Sequence, residues 1–347
     1  MQNYDALIVG GGPAGSACAR KLVQAGYRVA VLDREEFPRT KLCAGWVTPE
    51  AVADLELDVD AYPHRFNTFK YIIAHIKGFT IKLDTPQHSI RRFEFDDYLL
   101  KRSGADVHVH NVKNIERENG DFVLDDAFRA PFLIGAGGTR CPVYRALFRD
   151  ANPRARELQA ATYEHEFPYD WRDAHCHLWF FDKGLPGYAW YVPKADAYLN
   201  CGIGGMAEKL KASGDDVKMH WRYFTDVLQK RELVTGFDYA PKGYSYYLRG
   251  NVDVVRIDNA FITGDAVGLA TRDLCEGIGP AIRSGHLAAE SILTGSQYSL
   301  DAINALSAEH AIVRKLLEYM FVKRRTRPSK SRPSKPSSPT DIRQQAR

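Results

Sequence analysis

Short apolar runs separated by polar turns open the chain in the pattern of a βαβ unit. Apolar residues dominate Asp5–Gly10 and Tyr27–Asp33, which predicts two strands, and Pro13–Ala25 between them has the composition of a helix. A glycine-rich turn joins the first strand to this helix. Strand, turn, helix and strand within about thirty residues make one βαβ unit.

The pattern continues with alternating strand-like and helix-like segments. Apolar and polar residues alternate from Phe66 to Leu83, as in antiparallel strands. Residues 158–206 are rich in aromatic and β-branched residues and predict a sheet that covers another part of the molecule. Further strands are predicted at Val107–Val109, Phe132–Ile134 and Ala260–Thr263, and helices at Phe95–Arg102 and Gly277–Leu293.

These segments predict an α/β fold in which a Rossmann-type nucleotide-binding domain is interrupted by a mainly antiparallel β-sheet. The nucleotide-binding domain is expected at residues 1–65, 90–150 and 250–295, and the substrate-covering sheet at 66–89 and 151–249. Residues 296–322 are expected to form a C-terminal helical segment. Residues 323–347 are rich in Ser, Pro and Lys, cannot bury enough apolar surface to fold, and are expected to be a disordered basic tail.

Basic residues are concentrated in this tail, so the net charge of +4 does not describe the folded part. Residues 323–347 hold nine Lys or Arg and one acid, which leaves 38 basic and 42 acidic residues in 1–322. A mildly acidic body argues against nucleic-acid binding. The tail is expected to be a solvated extension; the alternative is an electrostatic tether to anionic lipid, which would give a peripheral membrane contact.

Cysteine usage and the N-terminus bear on the cellular compartment. Six cysteines are scattered without a C-x-x-C motif, which suits reduced thiols better than a disulfide framework. The first residues lead directly into a strand without a basic segment or cleavage site, and no run of 18 apolar residues is present. We expect a cytoplasmic protein, with contact to the inner face of the membrane as the alternative.

The turn after the first strand fits the dinucleotide fingerprint G-x-G-x-x-G, with the sequence Gly10-Gly11-Gly12-Pro13-Ala14-Gly15. Gly10 permits the tight turn, Gly12 lets a pyrophosphate approach the backbone, and Gly15 lets the helix pack closely on the strand. Pro13 and Ala14 begin the helix, whose positive end would face the phosphates. The fingerprint gains weight from its place between a predicted strand and a predicted helix.

The next strand ends in Asp33, 18 residues after Gly15. A carboxylate there can accept hydrogen bonds from an adenosine ribose and disfavours a 2′-phosphate, so NADP is a poor fit to this site. The chain contains no second G-x-G-x-x-G and hence no separate NAD(P) domain. An electron donor would therefore be a transient NAD(P)H or a protein such as reduced ferredoxin.

A second glycine-bearing turn, Gly264-Asp265-Ala266-Val267-Gly268, follows the predicted strand Ala260–Thr263. It resembles the second FAD motif of the flavoprotein superfamily that includes p-hydroxybenzoate hydroxylase. In that superfamily the aspartate, here Asp265, meets the pyrophosphate and ribityl part of FAD. The resemblance implies non-covalently bound FAD and a p-hydroxybenzoate hydroxylase-like FAD domain. It assigns to the FAD site Gly264, Asp265, Gly268, Gly277, Ile278, Gly137 and Arg92.

The helix predicted after Glu276 would complete this site. Backbone N–H groups at Gly277 and Ile278 would face the flavin N1–C2=O2 edge, where negative charge appears on reduction. Arg92, just before the predicted helix Phe95–Arg102, matches the flavin-contacting arginine of the superfamily.

Three further stretches resemble the geranylgeranyl reductase branch of this superfamily. Asp33-Arg34-Glu35 and Lys41-Leu42-Cys43-Ala44-Gly45 resemble its acidic-Arg and K-x-C-G-G stretches. Pro186–Pro193 resembles its P-x-x-Y-x-W-x-F-P signature but is one residue shorter. In relatives this aromatic strand lines a cavity that presents an extended apolar substrate to the flavin. The resemblance covers residues 1 to about 295 and implies a hydrophobic small-molecule substrate. It places in the site Arg34, Cys43, Ala44, Tyr188 and Trp190.

Three departures from the patterns of related proteins refine the comparison. Ala44 stands where the branch usually has Gly, so the loop that carries Cys43 is expected to differ. The turn Gly135-Ala136-Gly137-Gly138 lacks the Asp of the G-A-D-G motif of aromatic hydroxylases, which counts against their mechanism. Tyr188 replaces the first Trp of the W-x-W-x-I-P motif of flavin-dependent halogenases, which argues against halogenation.

Several residues keep more than one interpretation. Cys43 is a pocket residue, a buried structural thiol or a redox-active thiolate whose pKa Lys41 could lower. Tyr188 and Trp190 share one face of a strand and either shape the substrate pocket or pack in the core of the sheet. The two histidines of His175-Cys176-His177 would share a strand face, but no fourth ligand is evident nearby, so no metal site is expected.

The leading hypothesis is therefore an FAD-dependent oxidoreductase that reduces C=C bonds of an isoprenoid-type substrate by hydride transfer from flavin N5, with Cys43, Tyr188 and Trp190 as the candidate catalytic residues. One alternative is an FAD-dependent monooxygenase of an aromatic or apolar substrate. Another is a flavoprotein that modifies or matures a partner protein, for which the aromatic sheet would be the docking face.

Overall fold

The structure is a computed structural model that describes residues 1–214 and 216–307. Six α-helices lie in these ranges: α1 (Pro13–Gln24), α2 (Pro49–Asp54), α3 (Arg92–Ser103), α4 (Ala207–Ser213), α5 (Val217–Lys230) and α6 (Ile278–Thr294). Nine strands form the first half: β1 (Gln2–Asn3), β2 (Ala6–Val9), β3 (Val29–Asp33), β4 (Trp46–Val47), β5 (Asn67–Ile76), β6 (Phe79–Ser89), β7 (Asp106–Val109), β8 (Ile115–Glu118) and β9 (Asp121–Leu124). Nine more follow: β10 (Phe128–Ala130), β11 (Phe132–Gly135), β12 (Gln159–Pro168), β13 (Cys176–Phe180), β14 (Gly187–Lys194), β15 (Tyr198–Met206), β16 (Lys242–Tyr247), β17 (Arg256–Ile257) and β18 (Ala260–Ile262).

A six-stranded sheet forms the centre of the nucleotide-binding type fold, with the order β17-β18-β11-β2-β3-β7. All neighbouring strands are parallel except β17 and β18. All four residues of β2 are buried, as expected for a parallel strand covered on both faces. The predicted βαβ unit is thus present as β2, α1 and β3.

Helices α1 and α6 cross closely beside this sheet. A Cβ added at Gly285 of α6 would lie 2.2 Å from the carbonyl oxygen of Ala14, so only glycine allows this distance between the two backbones. The contact brings the N-terminal part of α1 against a helix more than 260 residues later in the chain.

An eight-stranded sheet has the order β16-β12-β15-β14-β13-β5-β6-β4. It is antiparallel except where β13 runs parallel to β5, so the expectation of a mainly antiparallel sheet is confirmed. One face packs on α5 through Trp221, Phe224 and Leu228. The other face carries Tyr188, Trp190 and other large apolar side chains.

Three local features differ from the sequence-based expectation. A four-stranded sheet, β1-β10-β9-β8, was not predicted, because its strands are short and β8 is mostly exposed and polar. Helix α3 begins at Arg92, three residues earlier than predicted, and Arg92 pairs with Asp96 one turn later. Residues 296–307 form turns and irregular backbone and contain no helix.

The rest of the predicted helical segment and the basic tail, residues 308–347, lie outside the described residues. Tyr298, Leu300 and Ile303 are buried in the main core, so the described part of this segment packs against the body of the protein. In the part of the chain that the structure describes, no helix is long and apolar enough to cross a membrane.

Candidate active site

One cavity of about 1590 Å³ lies between the carboxyl ends of the parallel strands and the eight-stranded sheet. The carboxyl ends of parallel strands are the usual ligand site of such folds. The volume exceeds the roughly 300–1000 Å³ typical of a site for one small ligand. Sixteen predicted site residues line this cavity: Gly10, Gly12, Pro13, Ala14, Asp33, Arg34, Cys43, Ala44, Arg92, Gly137, Tyr188, Trp190, Gly264, Asp265, Gly277 and Ile278.

The glycines of the first turn have different surroundings. Gly10 has a φ of +114°, and a Cβ there would lie 2.4 Å from the Ala136 carbonyl oxygen. Gly15 lies outside the cavity wall, and its Cβ would lie 1.9 Å from the Gly10 carbonyl oxygen. A Cβ at Gly12 would meet only the end of Arg39, at 3.6 Å, and would otherwise project into the cavity. Gly12 therefore keeps open the space in front of the α1 amides.

Asp33 connects this turn to the end of β3 by a hydrogen bond. Its Oδ2 accepts a hydrogen bond from Gly11 N at 2.8 Å, and its Oδ1 accepts one from Glu35 N at 3.0 Å. A carboxylate offers about four acceptor positions, so Asp33 can also accept from a ligand hydroxyl. Arg34 lies at the outer edge, where its largely exposed side chain pairs with Glu35.

Arg92 is a buried cation in the cavity wall. Its Nε and Nη2 donate to the two carboxylate oxygens of Asp96 at 2.6 and 2.7 Å, and Arg39 Nη1 lies 3.2 Å from Asp96 Oδ2. Although burial opposes the charge, the Asp96 carboxylate and the neighbouring Cys43 side chain raise the pKa of Arg92. The guanidinium is therefore permanently charged and held in one orientation.

Lys41, which the sequence analysis considered as the cation acting on Cys43, is directed elsewhere. Lys41 turns to the ring of Tyr244, with its Nζ 3.4 Å from the ring centroid, a cation–π contact. The cation next to Cys43 is Arg92. The Cys43 Sγ accepts a hydrogen bond from Gly45 N at 3.3 Å. The residues from Lys41 to Gly45 do not form a strand, so the side-chain alternation of a strand does not apply to them.

Tyr188 and Trp190 lie on the cavity face of β14, while Ala189 and Tyr191 face the core beneath α5. The Tyr188 hydroxyl donates to the Leu274 carbonyl oxygen at 2.6 Å. Trp190 Nε1 donates to Asn200 Oδ1 at 2.7 Å. Burial raises the pKa of Tyr188 well above its ordinary value, so this hydroxyl keeps its proton.

Apolar side chains continue the wall beside these two aromatic residues. They come from β5 and β13 at the centre of the eight-stranded sheet: Ile72, Ala74, Ile76, Leu178 and Phe180. This part of the cavity can take an extended apolar group.

The second turn contacts the first. Gly264 has a φ of +56°, and a Cβ there would lie 3.2 Å from the Ala14 Cβ and 3.3 Å from the Ala281 Cβ. Its N–H donates to Ser284 Oγ at 2.9 Å. Gly268 lies outside the cavity wall, beside Tyr247. Two glycine-bearing turns some 250 residues apart thus meet at one edge of the cavity.

Helix α6 begins at the same edge, with Gly277 as its N-cap. The first amides of a helix have no partner within it, so those of Gly277 and Ile278 can serve a ligand. The amide of Gly279 cannot, because it donates to Glu276 Oε1 at 3.0 Å. Burial raises the pKa of Glu276 to about 6, although this hydrogen bond acts in the opposite direction.

Comparison with known proteins decides the family. The family described as DAO, FAD dependent oxidoreductase, matches residues 5–93. A protein of Methanosarcina barkeri is 31% identical over 307 residues, which cover 84% of this chain and 75% of that protein. The menaquinone reductase of Mycobacterium tuberculosis is 29% identical over 82% of this chain and 76% of its own. The digeranylgeranylglycerophospholipid reductase 2 of Methanosphaera stadtmanae is 25% identical over 89% and 84%.

A solved structure agrees with this at the level of the fold. The geranylgeranyl bacteriochlorophyll reductase-like protein of Thermoplasma acidophilum superposes with a TM-score of 0.71 and 21% identity, over 93% of this chain and 84% of that one. The chain belongs to the geranylgeranyl reductase-like family of FAD-dependent oxidoreductases. It is an FAD-dependent enzyme, as the sequence predicted.

The cavity of this flavoprotein fits FAD. Gly12 leaves space for a pyrophosphate in front of a helix N-terminus, and Asp33 offers acceptors where the ribose of a dinucleotide lies. Asp265 and the first amides of α6 line the same cavity. The cavity then continues to the apolar wall, which leaves space for a substrate beside the cofactor.

Sequence reasoning missed several groups around this site. Arg39 and Asp96 complete the charge pairs of Arg92, and Glu276 accepts an amide of α6. Glu164, a buried carboxyl group on the cavity face of β12, was also missed. The signal available in the sequence was an acidic residue at one of the alternate positions of a strand. These positions are Ala160, Thr162 and Glu164.

The histidines near the start of β13 bind other side chains. His177 Nε2 lies 3.0 Å from Asp173 Oδ2, and His177 Nδ1 lies 3.1 Å from His75 Nε2. His175 precedes the strand and lies 2.7 Å from Asp173 Oδ1. Within residues 1–214 and 216–307, no three His, Cys, Asp or Glu side chains are grouped to hold a metal ion.

Proposed function

We propose that this flavoprotein reduces carbon–carbon double bonds of a polyisoprenoid chain. The observation that carries the proposal is the continuity of the cavity, from the two glycine-bearing turns to the apolar wall formed by β5, β13 and β14. Menaquinone, digeranylgeranylglycerophospholipid and geranylgeranyl bacteriochlorophyll occur in the names of similar proteins, and all three carry a polyisoprenoid chain.

We assign the FAD-binding role to residues at the strand ends and helix starts. These are Gly10, Gly12, Pro13, Ala14, Gly15, Asp33, Arg34, Cys43, Ala44, Arg92, Gly137, Gly264, Asp265, Gly268, Gly277 and Ile278. Gly15 and Gly268 would act through the shape of the two turns, since neither lines the cavity. When bound, FAD supplies hydride chemistry at N5.

The chain's own residues would orient the substrate and exclude water. Tyr188 and Trp190, each held by a hydrogen bond, present ring edges and faces to an apolar chain. Cys43 lies beside the permanently charged Arg92 and lines the same cavity as the two aromatic residues. These three remain the proposed catalytic residues.

The domain division follows the same assignment. Residues 1–65, 90–150 and 250–295 would hold FAD, and residues 66–89 and 151–249 would cover the substrate. Trp46 and Val47 of the first range pair with β6 of the covering sheet and so link the two parts.

The electron donor and the location belong to the same proposal. Transient NAD(P)H or reduced ferredoxin would reduce the flavin, because the chain carries one dinucleotide fingerprint only. The enzyme would act in the cytoplasm, in peripheral contact with the inner face of the membrane, where polyisoprenoid lipids lie.

Anaerobic half-reactions test this function. The purified holoenzyme is reduced with dithionite and mixed with digeranylgeranylglycerophospholipid or with menaquinone in detergent. We expect flavin reoxidation by the phospholipid and a mass gain of two hydrogens per reduced double bond. For menaquinone, the gain must persist after the quinone ring is reoxidised in air. The same phospholipid with saturated chains is the matched control and should leave the flavin reduced.

Other outcomes would replace the proposal. A hydroxylated product that requires oxygen would indicate a monooxygenase. Stable co-purification with one protein, without turnover of any small molecule, would indicate a flavoprotein that modifies a partner.

A further inference from the structure

Glu164 is a buried carboxyl group that faces the cavity and has no role in the assignments above. Its side chain belongs to β12, and the residue is only 2% exposed. Ala160 and Thr162, on the same face of the strand, line the cavity with it. The carboxyl group is therefore shielded from bulk water but directed towards the space proposed for the substrate.

Glu164 lies beside the residues proposed to line the substrate. It is in register with Gly202 of β15, which is in register with Trp190 of β14. A Cβ at Gly202 would lie 2.1 Å from Trp190 Cζ2 and 2.8 Å from Glu164 Cβ. The indole thus extends over the glycine to Glu164.

Asn200 joins the same groups by hydrogen bonds. Its Nδ2 donates to Glu164 Oε2 and to the Cys43 carbonyl oxygen, each at 3.3 Å, and its Oδ1 accepts from Trp190 Nε1. Glu164, Trp190 and the Cys43 loop therefore share one amide.

A second carboxyl group, Glu166, follows on the same strand in a different environment. Lys194 and Arg91 donate to Glu166. Although burial acts in the opposite direction, these two cations lower the pKa of Glu166. Its ion pairs keep Glu166 charged.

Glu164 accepts from a neutral amide, and the charged groups that face it are Lys194, Lys41 and Glu166. Burial raises the pKa of Glu164 to about 7, against the effect of Asn200 and the two lysines. The two environments shift the two pKa values in opposite directions. Glu164 can therefore act as an acid while Glu166 stays an anion.

Reduction of an alkene needs such an acid. The hydride adds to one carbon, and the other carbon requires a proton. The Tyr188 hydroxyl already donates to Leu274, and Glu276 accepts the Gly279 amide at the start of α6. We propose that Glu164 donates the proton that completes reduction of the double bond.

This inference rests on the proposed function. Bound reduced FAD would supply one alkene carbon with a hydride, and with it the two electrons of the reduction. The π-electron pair then forms a C–H bond with the Glu164 proton as the O–H bond breaks. The alkene gains two hydrogens, and water reprotonates the carboxylate.

Infrared spectroscopy tests the protonation state without turnover. In the holoenzyme we expect a protonated carboxyl C=O stretch that titrates with a midpoint near pH 7, about one unit above the midpoint of Glu276. Glu164→Gln should remove this signal, because glutamine keeps the acceptor for Asn200 but has no carboxyl group. Glu116→Gln, the same change on an exposed strand of the four-stranded sheet, should keep it.

Glu166→Gln makes a sharper test of the same group. Glu166→Gln frees Lys194 to pair directly with Glu164 and removes the negative charge of a neighbouring carboxylate. Both changes favour the charged form of Glu164 and should lower its pKa by about one unit or more. The infrared midpoint should fall accordingly. A signal that is absent from the wild type, or that survives in Glu164→Gln, would overturn the proposal.

Stopped-flow kinetics test the proton transfer. The reduced Glu164→Gln enzyme should be reoxidised by digeranylgeranylglycerophospholipid about 10²-fold more slowly than the wild type or worse, with its FAD content unchanged. Reoxidation at the wild-type rate would also overturn the proposal. If the wild type itself is not reoxidised by either lipid, the proposed function fails, and the infrared titration still decides whether Glu164 is a neutral acid.

Discussion

At the scale of single residues, Gly12 is the position where a side chain and the cofactor compete for the same space. A Cβ there would project into the cavity in front of α1. We expect Gly12→Val to abolish FAD binding, because the valine methyl groups would occupy the pyrophosphate position. The flavin absorbance that remains after gel filtration measures this.

Gly250→Val is the matched control for Gly12→Val. Its Cβ would meet only the flexible end of Leu158, at 3.1 Å, and Gly250 does not line the cavity. This variant should stay yellow. Full FAD occupancy in Gly12→Val would show that the first turn has been placed incorrectly.

Glu276 should tune the flavin, because its carboxyl group lies at the start of α6. Above pH 6 the carboxyl group is ionised and opposes negative charge on the reduced flavin; below pH 6 it is neutral. Glu276→Gln should therefore raise the reduction potential at pH 8 and leave it unchanged at pH 5. An effect of about 1 kcal/mol corresponds to roughly 20 mV for two electrons. Equal potentials at pH 8, measured by dye equilibration, would exclude a role for this charge.

At the scale of elements, α3 contains two ion pairs with the same spacing and different burial. Arg92 and Asp96 are almost completely buried, whereas the side chain of Lys101, which pairs with Asp97, is 73% exposed. Loss of one partner from a buried pair leaves an uncompensated charge and costs about 3–5 kcal/mol. An exposed pair within a helix is worth about 0.3–0.5 kcal/mol.

We therefore expect Arg92→Met to lower the free energy of unfolding by about 3 kcal/mol, at the low end because Arg39 still faces Asp96. Lys101→Met should lower it by less than about 0.5 kcal/mol. Urea unfolding of both variants measures the difference. Equal losses would mean that burial does not distinguish the two pairs.

Elements with a local pattern could be predicted from the sequence, and elements defined by distant pairing could not. The unit β2–α1–β3 lies within 28 consecutive residues, and its turn residues identify it. The parallel pairing of β5 with β13 joins residues about a hundred positions apart, so no local signal predicts it. β8 has one apolar residue among four and thus no strand pattern.

At the scale of the whole molecule, the site is assembled from many separate regions of the chain, three of which carry a sequence motif. The motifs at residues 10–15, 186–193 and 264–268 could each be recognised in the sequence. Their meeting at one cavity depends on the crossing of α1 and α6 at Gly285 and on the register of the eight-stranded sheet. The orientation of Lys41 and the burial of Glu164 in the cavity wall depend on the same packing, which explains why sequence reasoning did not predict them.

The central claim is that two turns, remote in sequence, together hold one FAD. The most direct test is the visible spectrum and FAD content of the protein purified under native conditions. The structure predicts a yellow protein with one FAD released per chain on denaturation, and none from Gly12→Val. A colourless protein that does not take up added FAD would contradict this account.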